Sequence, residues 1–144
     1  MKKLLLLFIL VFPLVDCLSQ DWIEVTQTSS GNQIFIADKY IKKGGTFGND
    51  EGVYRIWTKT VLKKYEQKKY GKTKIYQNAV LKSLNDYDCI NQKTRLIMSI
   101  LYDSNGNVIQ SSDTDEYGMD WNFVIPETVG EAIFRLACKL SNED

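Results

Sequence analysis

Two cysteines, 49 positions apart, constrain this chain more than any other feature of its sequence. Cys89 and Cys138 are the pair that remains once a leader containing Cys17 is removed. An even number of cysteines in an exported protein predicts a disulfide, here closing a loop of about 50 residues. In the chain-entropy model, such a cross-link stabilises the folded state by about 4 kcal/mol. The alternative is a pair of buried, unpaired thiols.

The first residues have the organisation of a secretory signal peptide. A lysine pair precedes an apolar run from Leu4 to Leu14, and Cys17-Leu18-Ser19 offers small residues at the positions that a signal peptidase reads. We therefore expect residues 1–19 to be cleaved and residues 20–144 to form a single domain. The predicted location is the periplasm, the outer-membrane surface or the extracellular space.

A lipid anchor at Cys17 is the alternative to cleavage after Ser19. Leu14 to Cys17 loosely resembles a lipobox, but Asp16 occupies a position that favours a small neutral residue. The apolar run at the N-terminus is too short to cross a bilayer, which takes about 20 residues. No later run is longer, so the sequence predicts no transmembrane segment in the mature chain.

Composition argues against most enzyme classes. The chain has no histidine, which removes Ser-His-Asp and Cys-His catalysis and His-ligated metal sites. Two cysteines cannot supply a four-thiolate zinc site, their spacing is not C-x-x-C, and no glycine-rich phosphate loop occurs. With 18 basic and 18 acidic residues, no overall field attracts nucleic acid. We expect no cofactor, no bound metal and no nucleic-acid partner, which leaves a carboxylate pair as the enzyme option.

Alternating hydrophobicity and turn residues divide the mature chain into short strands. Asn105-Gly106 lies between two strand-like runs and favours a type I′ hairpin turn, in which both central residues take positive φ. Lys42-Lys43-Gly44-Gly45 predicts a break and a tight reversal after the second strand. The predicted strands are Trp22–Thr26, Gln33–Ala37, Val53–Val61, Ile75–Leu84, Thr94–Tyr102, Val108–Ser111 and Trp121–Ile125.

The C-terminal part of the chain switches to a helical period and predicts a helix over 128–140. Thr128 and Glu131 fit a capping box at its start. A helix of this length does not fold alone, so its apolar face needs a sheet to pack against. The predicted fold class is α+β: an antiparallel sheet of about five to six strands with a C-terminal helix on one face, joined by one disulfide. The apolar face of the helix contains Val129, Ile133, Leu136 and Leu140.

Several short segments follow one another in a distinctive order. They are Trp22 in DWIEV, Asp38 in FIADKYIKKGG, Trp57 in VYRIWTKT, Tyr87-Asp88-Cys89, the hairpin LYDSNGNVIQSS, Trp121 before VIP, and Ala137-Cys138. This order resembles the surface-adhesin protein E family of Gram-negative bacteria, from roughly Trp22 to Cys138. The resemblance implies an exported domain with an antiparallel sheet, a packed helix and a disulfide. It also implies a place among proteins that sit on the cell surface and bind host matrix proteins, and a homodimer is consistent with such a fold.

A lysine-rich stretch between Lys59 and Lys74 is the main candidate for a ligand surface. Its lysines face a single acidic residue, Glu66, and tyrosines are interleaved. Such a surface would hold polyanions such as glycans or anionic lipid, with the aromatic rings stacking on sugars. The sequence favours the alternative, a solvated loop or a sheet edge whose lysines discourage pairing with other chains. The candidate ligand residues are Lys63, Lys64, Tyr65, Lys68, Lys69, Tyr70 and Lys72.

Two further groups have simpler interpretations. The acidic residues Asp113, Asp115, Glu116 and Asp120 lack the spacing of a calcium loop, which favours a solvated loop. The three tryptophans could line a groove, but each lies in a strand-like run, where packing is the simpler role.

The sequence thus predicts a non-enzymatic binding or adhesion module of the cell envelope, with an extracellular protein or a glycan as its partner. A periplasmic structural or inhibitory protein-interaction domain is the second hypothesis. A carboxylate-based hydrolase is the third.

Overall fold

The computed structural model describes residues 21–39, 42–43, 51–113 and 120–141. The predicted leader with Cys17 lies outside these residues. The Gly44-Gly45 part of the predicted reversal also lies outside them, as do Asp115 and Glu116 of the acidic stretch.

The described residues form eight strands and one helix, and every paired strand is antiparallel to its neighbour. The strand order is β1-β2-β4-β5-β6-β7, with β3 beside β4 and β8 beside β6. The predicted α+β class, antiparallel sheet and C-terminal helix are confirmed. The elements are β1 (Trp22–Gln27), β2 (Gln33–Ala37), β3 (Lys42–Lys43), β4 (Val53–Lys69), β5 (Lys72–Asp88), β6 (Lys93–Tyr102), β7 (Val108–Asp113), β8 (Asn122–Phe123) and α1 (Val129–Leu140).

Helix α1 begins where its capping residues place it. The Thr128 hydroxyl accepts a hydrogen bond from the Glu131 backbone N–H at 3.2 Å. The Glu131 carboxylate in turn accepts from the Glu127 backbone N–H at 2.8 Å. The first bond satisfies a helix N–H that has no partner inside the helix, and the second is made one residue before the N-cap Thr128. The predicted helix and its N-cap are confirmed.

The core lies between α1 and one face of the sheet. Phe134 of the helix packs near Tyr87 of β5, with ring centroids 6.3 Å apart. Burial raises the pKa of the Tyr87 phenol well above its usual value. Cys89, directly after β5, is bonded to Cys138 in the last turns of the helix, with Cα atoms 5.7 Å apart. The predicted disulfide is confirmed, and it holds the helix over the sheet. The buried cluster consists of Ile36, Ala37, Tyr54, Ile56, Tyr87, Phe134 and Ala137.

A buried ionic cluster occupies the opposite face of the sheet, and sequence analysis missed it. Arg55 alternates with the core residues of β4 and lies opposite Asp86 of β5. The Asp86 carboxylate is fully buried. It accepts from Arg55 Nε at 2.7 Å and from Arg95 Nη2 at 2.8 Å. The Arg95 guanidinium also stacks on Trp121, 4.6 Å from the ring centroid. These contacts join β4, β5 and β6 at the helix end of the sheet.

The largest correction concerns the lysine-rich stretch: of its two simpler interpretations, the solvated loop is wrong, whereas the sheet edge agrees with the structure. Strands β4 and β5 are each 17 residues long and continue to a two-residue turn at Tyr70-Gly71. Both turn residues have positive φ, 51° and 72°, as a type I′ turn requires. Tyrosine and threonine suit extended backbone and support the pairing here, although lysine has a low strand propensity.

The turn at Asn105-Gly106 is also not the predicted type I′ turn. The hairpin between β6 and β7 is confirmed, but of these two residues only Gly106 has positive φ. The Gly106 N–H donates to the Asp103 carbonyl at 3.0 Å, and the Asp103 N–H donates to the Asn107 carbonyl at 2.8 Å. A longer connection follows because the Asp103 carboxylate accepts backbone bonds from Asn105 and Asn107.

The last predicted strand, Trp121–Ile125, is much shorter in the structure. Only Asn122 and Phe123 pair with β6. Val124 packs against the core cluster and its N–H donates to the Gln92 carbonyl at 3.0 Å, whereas Phe123 and Ile125 remain 71% and 67% exposed.

Candidate functional site

The outer part of the β4–β5 hairpin projects beyond the sheet. Strand β2 pairs with β4 only as far as Val61, and β6 pairs with β5 only as far as Val80. Among the described strands, residues 62–69 and 72–79 therefore pair only with each other. We call residues 62–79 the basic arm. Eight residues of extended backbone make it about 25 Å long.

The basic arm contains all of the ligand residues proposed from the sequence. It has six lysines against one glutamate, Glu66. The lysines are exposed, and the tip residue Tyr70 is 92% exposed. The arm lysines are Lys63, Lys64, Lys68, Lys69, Lys72 and Lys74.

One face of the arm carries a pair of tyrosines, and we call it the tyrosine face. Tyr65 and Tyr76 are directly opposite each other, with ring centroids 6.2 Å apart. The Tyr76 hydroxyl donates to the side-chain amide oxygen of Gln67 at 3.4 Å. The Lys74 ammonium lies 4.7 Å from the centroid of the Tyr76 ring. Alternation places Lys69 and its partner Lys72 on the same face, next to the tip.

The other face of the arm carries less net charge. The Lys64 ammonium lies 2.6 Å from the Glu66 carboxylate. An exposed pair of this kind stabilises the fold little, but it neutralises one lysine. The described ion pairs include none with Lys69 or Lys72. Positive charge is therefore concentrated on the tyrosine face and at the tip.

The base of the arm is fixed to the turn between β1 and β2. The Lys63 backbone N–H donates to the Asn32 side-chain oxygen at 3.0 Å. Ala79, on the other strand, is fully buried. A two-stranded ribbon is marginally stable alone, so this attachment and the paired body of the hairpin hold the arm in place.

The ligand residues proposed from the sequence leave out four residues of this site, although Lys74 and Tyr76 belong to the lysine-rich stretch and its interleaved tyrosines. Gln67, Lys74 and Tyr76 join the tyrosine face only because β4 and β5 are in register, which a loop interpretation could not show. Asn32 supports the arm from 31 positions earlier in the chain. The only local signals were the tyrosines, which suit strands, and the glycine of the Tyr70-Gly71 pair between the two lysine-rich runs.

Three cavities lined by described residues contain few carboxylates. One near the disulfide, of about 220 Å³, includes Glu131. One beside the β6–β7 turn, of about 360 Å³, includes Asp103. A third, of about 170 Å³, lies beside Tyr65 and is lined by no carboxylate. Within the described part of the chain, no group of three or more acidic or cysteine side chains could hold a metal ion.

The model of the surface-adhesin protein E family matches residues 22–139. The chain belongs to this family. The match begins at the first residue of β1, and it includes the disulfide, the ionic cluster and the whole basic arm. No curated protein and no solved structure matches the chain.

Membership of the surface-adhesin protein E family indicates an exported or cell-surface adhesion protein. In the described residues of this member, no helix is long and apolar enough to span a membrane. The three tryptophans lie in packed positions. Trp22 and Trp57 are half-buried against the core cluster, and Trp121 stacks with Arg95.

Proposed function

We propose that this protein is an exported, non-enzymatic binding module of the cell envelope, and that the basic arm holds polyanionic ligands. The observation that carries the proposal is the arm itself: a projecting ribbon with six lysines, one glutamate and a tyrosine pair. Its ligand class is an acidic glycan or an acidic segment of an extracellular protein. Cleavage after Ser19 and a single domain over residues 20–144 are parts of the same proposal.

Electrostatics supports the arm as the ligand surface. The chain as a whole has no net charge, so attraction to polyanions must be local. Salt screens exposed charges beyond about 8 Å at physiological ionic strength. Lys72 and Lys74 lie about 7 Å apart along β5, and Lys69 is directly opposite Lys72 on β4, so these three lysines act together. Projection from the body also lets both faces of the arm meet a ligand.

The surroundings of the carboxylates support a binding role over catalysis. The Asp86 carboxylate is fully buried between two arginines. The Glu131 carboxylate accepts from Glu127 and Arg135, and the Asp103 carboxylate accepts from Asn105 and Asn107. A glycosidase requires two carboxyl groups about 5–10 Å apart beside a cavity. The three cavities described above each contain one carboxylate or none.

Retention on immobilised heparin, a sulfated glycan, tests the arm. The variant Lys69→Gln/Lys72→Gln removes the cross-strand lysine pair next to the tip. The control Lys93→Gln/Lys139→Gln removes two lysines elsewhere and leaves the same net charge. Each lysine near an anionic surface contributes about 1 kcal/mol, so we expect the arm variant to bind about 30-fold more weakly. Equal retention of the two variants would refute the arm as the binding surface.

Two additional measurements separate the remaining hypotheses. Binding to immobilised poly-glutamate, compared with heparin, distinguishes an acidic protein ligand from a glycan. Protease treatment of intact cells should remove the protein if it is displayed on the surface. A protein that survives this treatment but is cut after the outer membrane is permeabilised would favour the periplasmic protein-interaction alternative.

A further inference from the structure

A second cationic site lies on the sheet itself, below the basic arm. Lys59 of β4 is directly opposite Lys82 of β5. Alternation places Lys59 on the face away from the helix, because Tyr54 and Ile56 of the same strand face the core. Phe35 of β2 is the neighbour of Lys59 on the other side. The two lysines therefore occupy the middle of the open face of the sheet.

Aromatic rings surround both ammonium groups. Lys59 Nζ lies 4.5 Å from the centroid of Trp22 and 4.4 Å from that of Phe35. Lys82 Nζ lies 6.0 Å from Trp22 and 5.6 Å from Tyr102. A cation within about 6 Å of a ring centroid is attracted by the ring, most strongly at the shorter distances. The rings thus hold the ammonium groups in place without neutralising them.

The placement of these two lysines lowers the stability of the protein when no ligand is bound. Like charges directly opposite each other destabilise a sheet. No carboxylate of the described residues lies within ion-pair distance of Lys59 or Lys82. Partial burial, and then the charge of Lys82, lower the pKa of Lys59. A bound anion between the two ammonium groups would offset both the repulsion between them and the partial burial of the Lys59 charge.

A cavity extends from Lys82 towards the β6–β7 turn. It has a volume of about 360 Å³ and is lined by Val80, Lys82, Tyr102, Asp103, Ser104 and Gly106. Val80 and Tyr102 offer an apolar and aromatic wall of the kind on which sugar rings pack. Ser104 and Asp103 offer oxygen atoms to hydroxyl groups. The Asp103 carboxylate also repels a second negative charge at the far end.

We propose that Lys59, Lys82 and Tyr102 form a binding site for a sugar that carries one acidic group. The acidic group lies between the two ammonium groups, and the sugar ring lies in the cavity against Tyr102. Val80 directly follows the basic arm, but Lys59 and Lys82 lie ten residues from Lys69 and Lys72 along β4 and β5, so the site is distinct from the tip. It therefore goes beyond the proposed function and can fail or succeed independently of it.

Titration of the oxidised full chain with glucuronate tests the site, followed by NMR chemical shifts and tryptophan fluorescence. Glucose, acetate and sulfate at matched ionic strength are the comparison ligands. We expect saturable binding of glucuronate, and at least tenfold weaker binding of the other three. Lys82→Gln and Tyr102→Leu should each weaken glucuronate binding about tenfold or more, whereas Lys82→Arg should retain it.

The matched control is Lys93→Gln, because Lys93 also lies over an aromatic ring, 4.8 Å from the centroid of Phe123. This variant should bind glucuronate like the parent, and so should Lys69→Gln/Lys72→Gln of the arm. Absence of saturable binding by the parent chain would overturn the proposal. Equal binding of sulfate or acetate, or full binding by a folded Lys82→Gln variant, would overturn it as well. If an arm variant loses heparin retention but still binds glucuronate, the arm and the sugar site are independent, as proposed.

Discussion

Substitution of Asp86 by asparagine should destabilise the fold more than any other loss of a single carboxylate. Asp86 is fully buried, and Arg55 and Arg95 are only 9% and 8% exposed. The carboxylate accepts bonds of 2.7–3.0 Å from both guanidinium groups. Asparagine keeps the shape but removes the negative charge that the two buried guanidinium groups share. Breaking a buried ion pair in this way costs about 3–5 kcal/mol.

Thermal unfolding followed by circular dichroism measures this effect. For about 120 folded residues the entropy of unfolding is about 250 cal/mol/K, so 3–5 kcal/mol corresponds to a decrease in Tm of about 12–20 °C. Asp113→Asn is the control, because Asp113 lies on the same sheet but is exposed. Its Tm should stay close to that of the parent.

A double variant tests the electrostatic explanation. Once asparagine replaces Asp86, Arg95→Gln removes one of the two buried like charges. The loss of stability in Asp86→Asn/Arg95→Gln should therefore be clearly smaller than the sum of the two single losses. A decrease in Tm of less than about 3 °C for Asp86→Asn would contradict the cluster as a structural centre. Strict additivity in the double variant would contradict the electrostatic explanation.

Three other predictions concern the disulfide, the tip of the arm and the helix cap. Reduction, or Cys138→Ser, should lower the free energy of unfolding by up to about 4 kcal/mol in denaturant titrations, and an unchanged midpoint would contradict a stabilising bridge. Gly71→Ala should destabilise the turn locally by about 1 kcal/mol, because φ is 72° there; hydrogen exchange should be faster in the arm and unchanged in the helix. The pKa of Glu131 is lowered by the bond from the Glu127 N–H and by Arg135, so its stabilising effect is present above pH 4.5 and is lost as the pH falls through the lowered value. Melting of the parent and Glu131→Gln should differ at pH 7 and converge in acid, and a constant difference would contradict this linkage.

Local signals in the sequence were sufficient for the elements that depend on local chemistry. Thr128 and Glu131 place the start of the helix, and the apolar face of the helix identifies its side of the core. The pairing of Cys89 with Cys138 followed from cysteine count and compartment. These features depend only on neighbouring residues or on a residue count, so they can be predicted without knowledge of the tertiary structure.

The basic arm could not be predicted in the same way. Lysine has a low strand propensity, so the local sequence does not favour strands here. The pairing between Lys64 and Gln77 forms because β4 and β5 continue beyond the sheet in which their other halves are buried. The turn also differs from expectation. Asn105-Gly106 has the better type I′ sequence, but Asp103 accepts local bonds and selects a longer connection, whereas register forces Tyr70-Gly71 into the tight turn.

Side-chain partners across strands were the second kind of feature beyond the reach of the sequence. The contact of Asp86 with Arg55 joins residues 31 positions apart, and that of Lys59 with Trp22 joins separate strands. Alternation identifies which side of a strand such residues occupy, but only the register shows which residue lies opposite. Both the ionic cluster and the proposed sugar site depend on that register.

A shortened hairpin tests the ligand role of the arm most directly. Replacement of residues 65–76 by an Asn-Gly turn keeps the Lys64–Gln77 pair and the body of the sheet, while it removes the tyrosine face and the tip. Heparin retention of this variant is the measurement, with Tm and the disulfide as checks of folding. We predict a Tm within about 3 °C of the parent, since no other described strand pairs with the removed segment, and loss of retention. Unchanged retention by the folded, shortened protein would contradict the account.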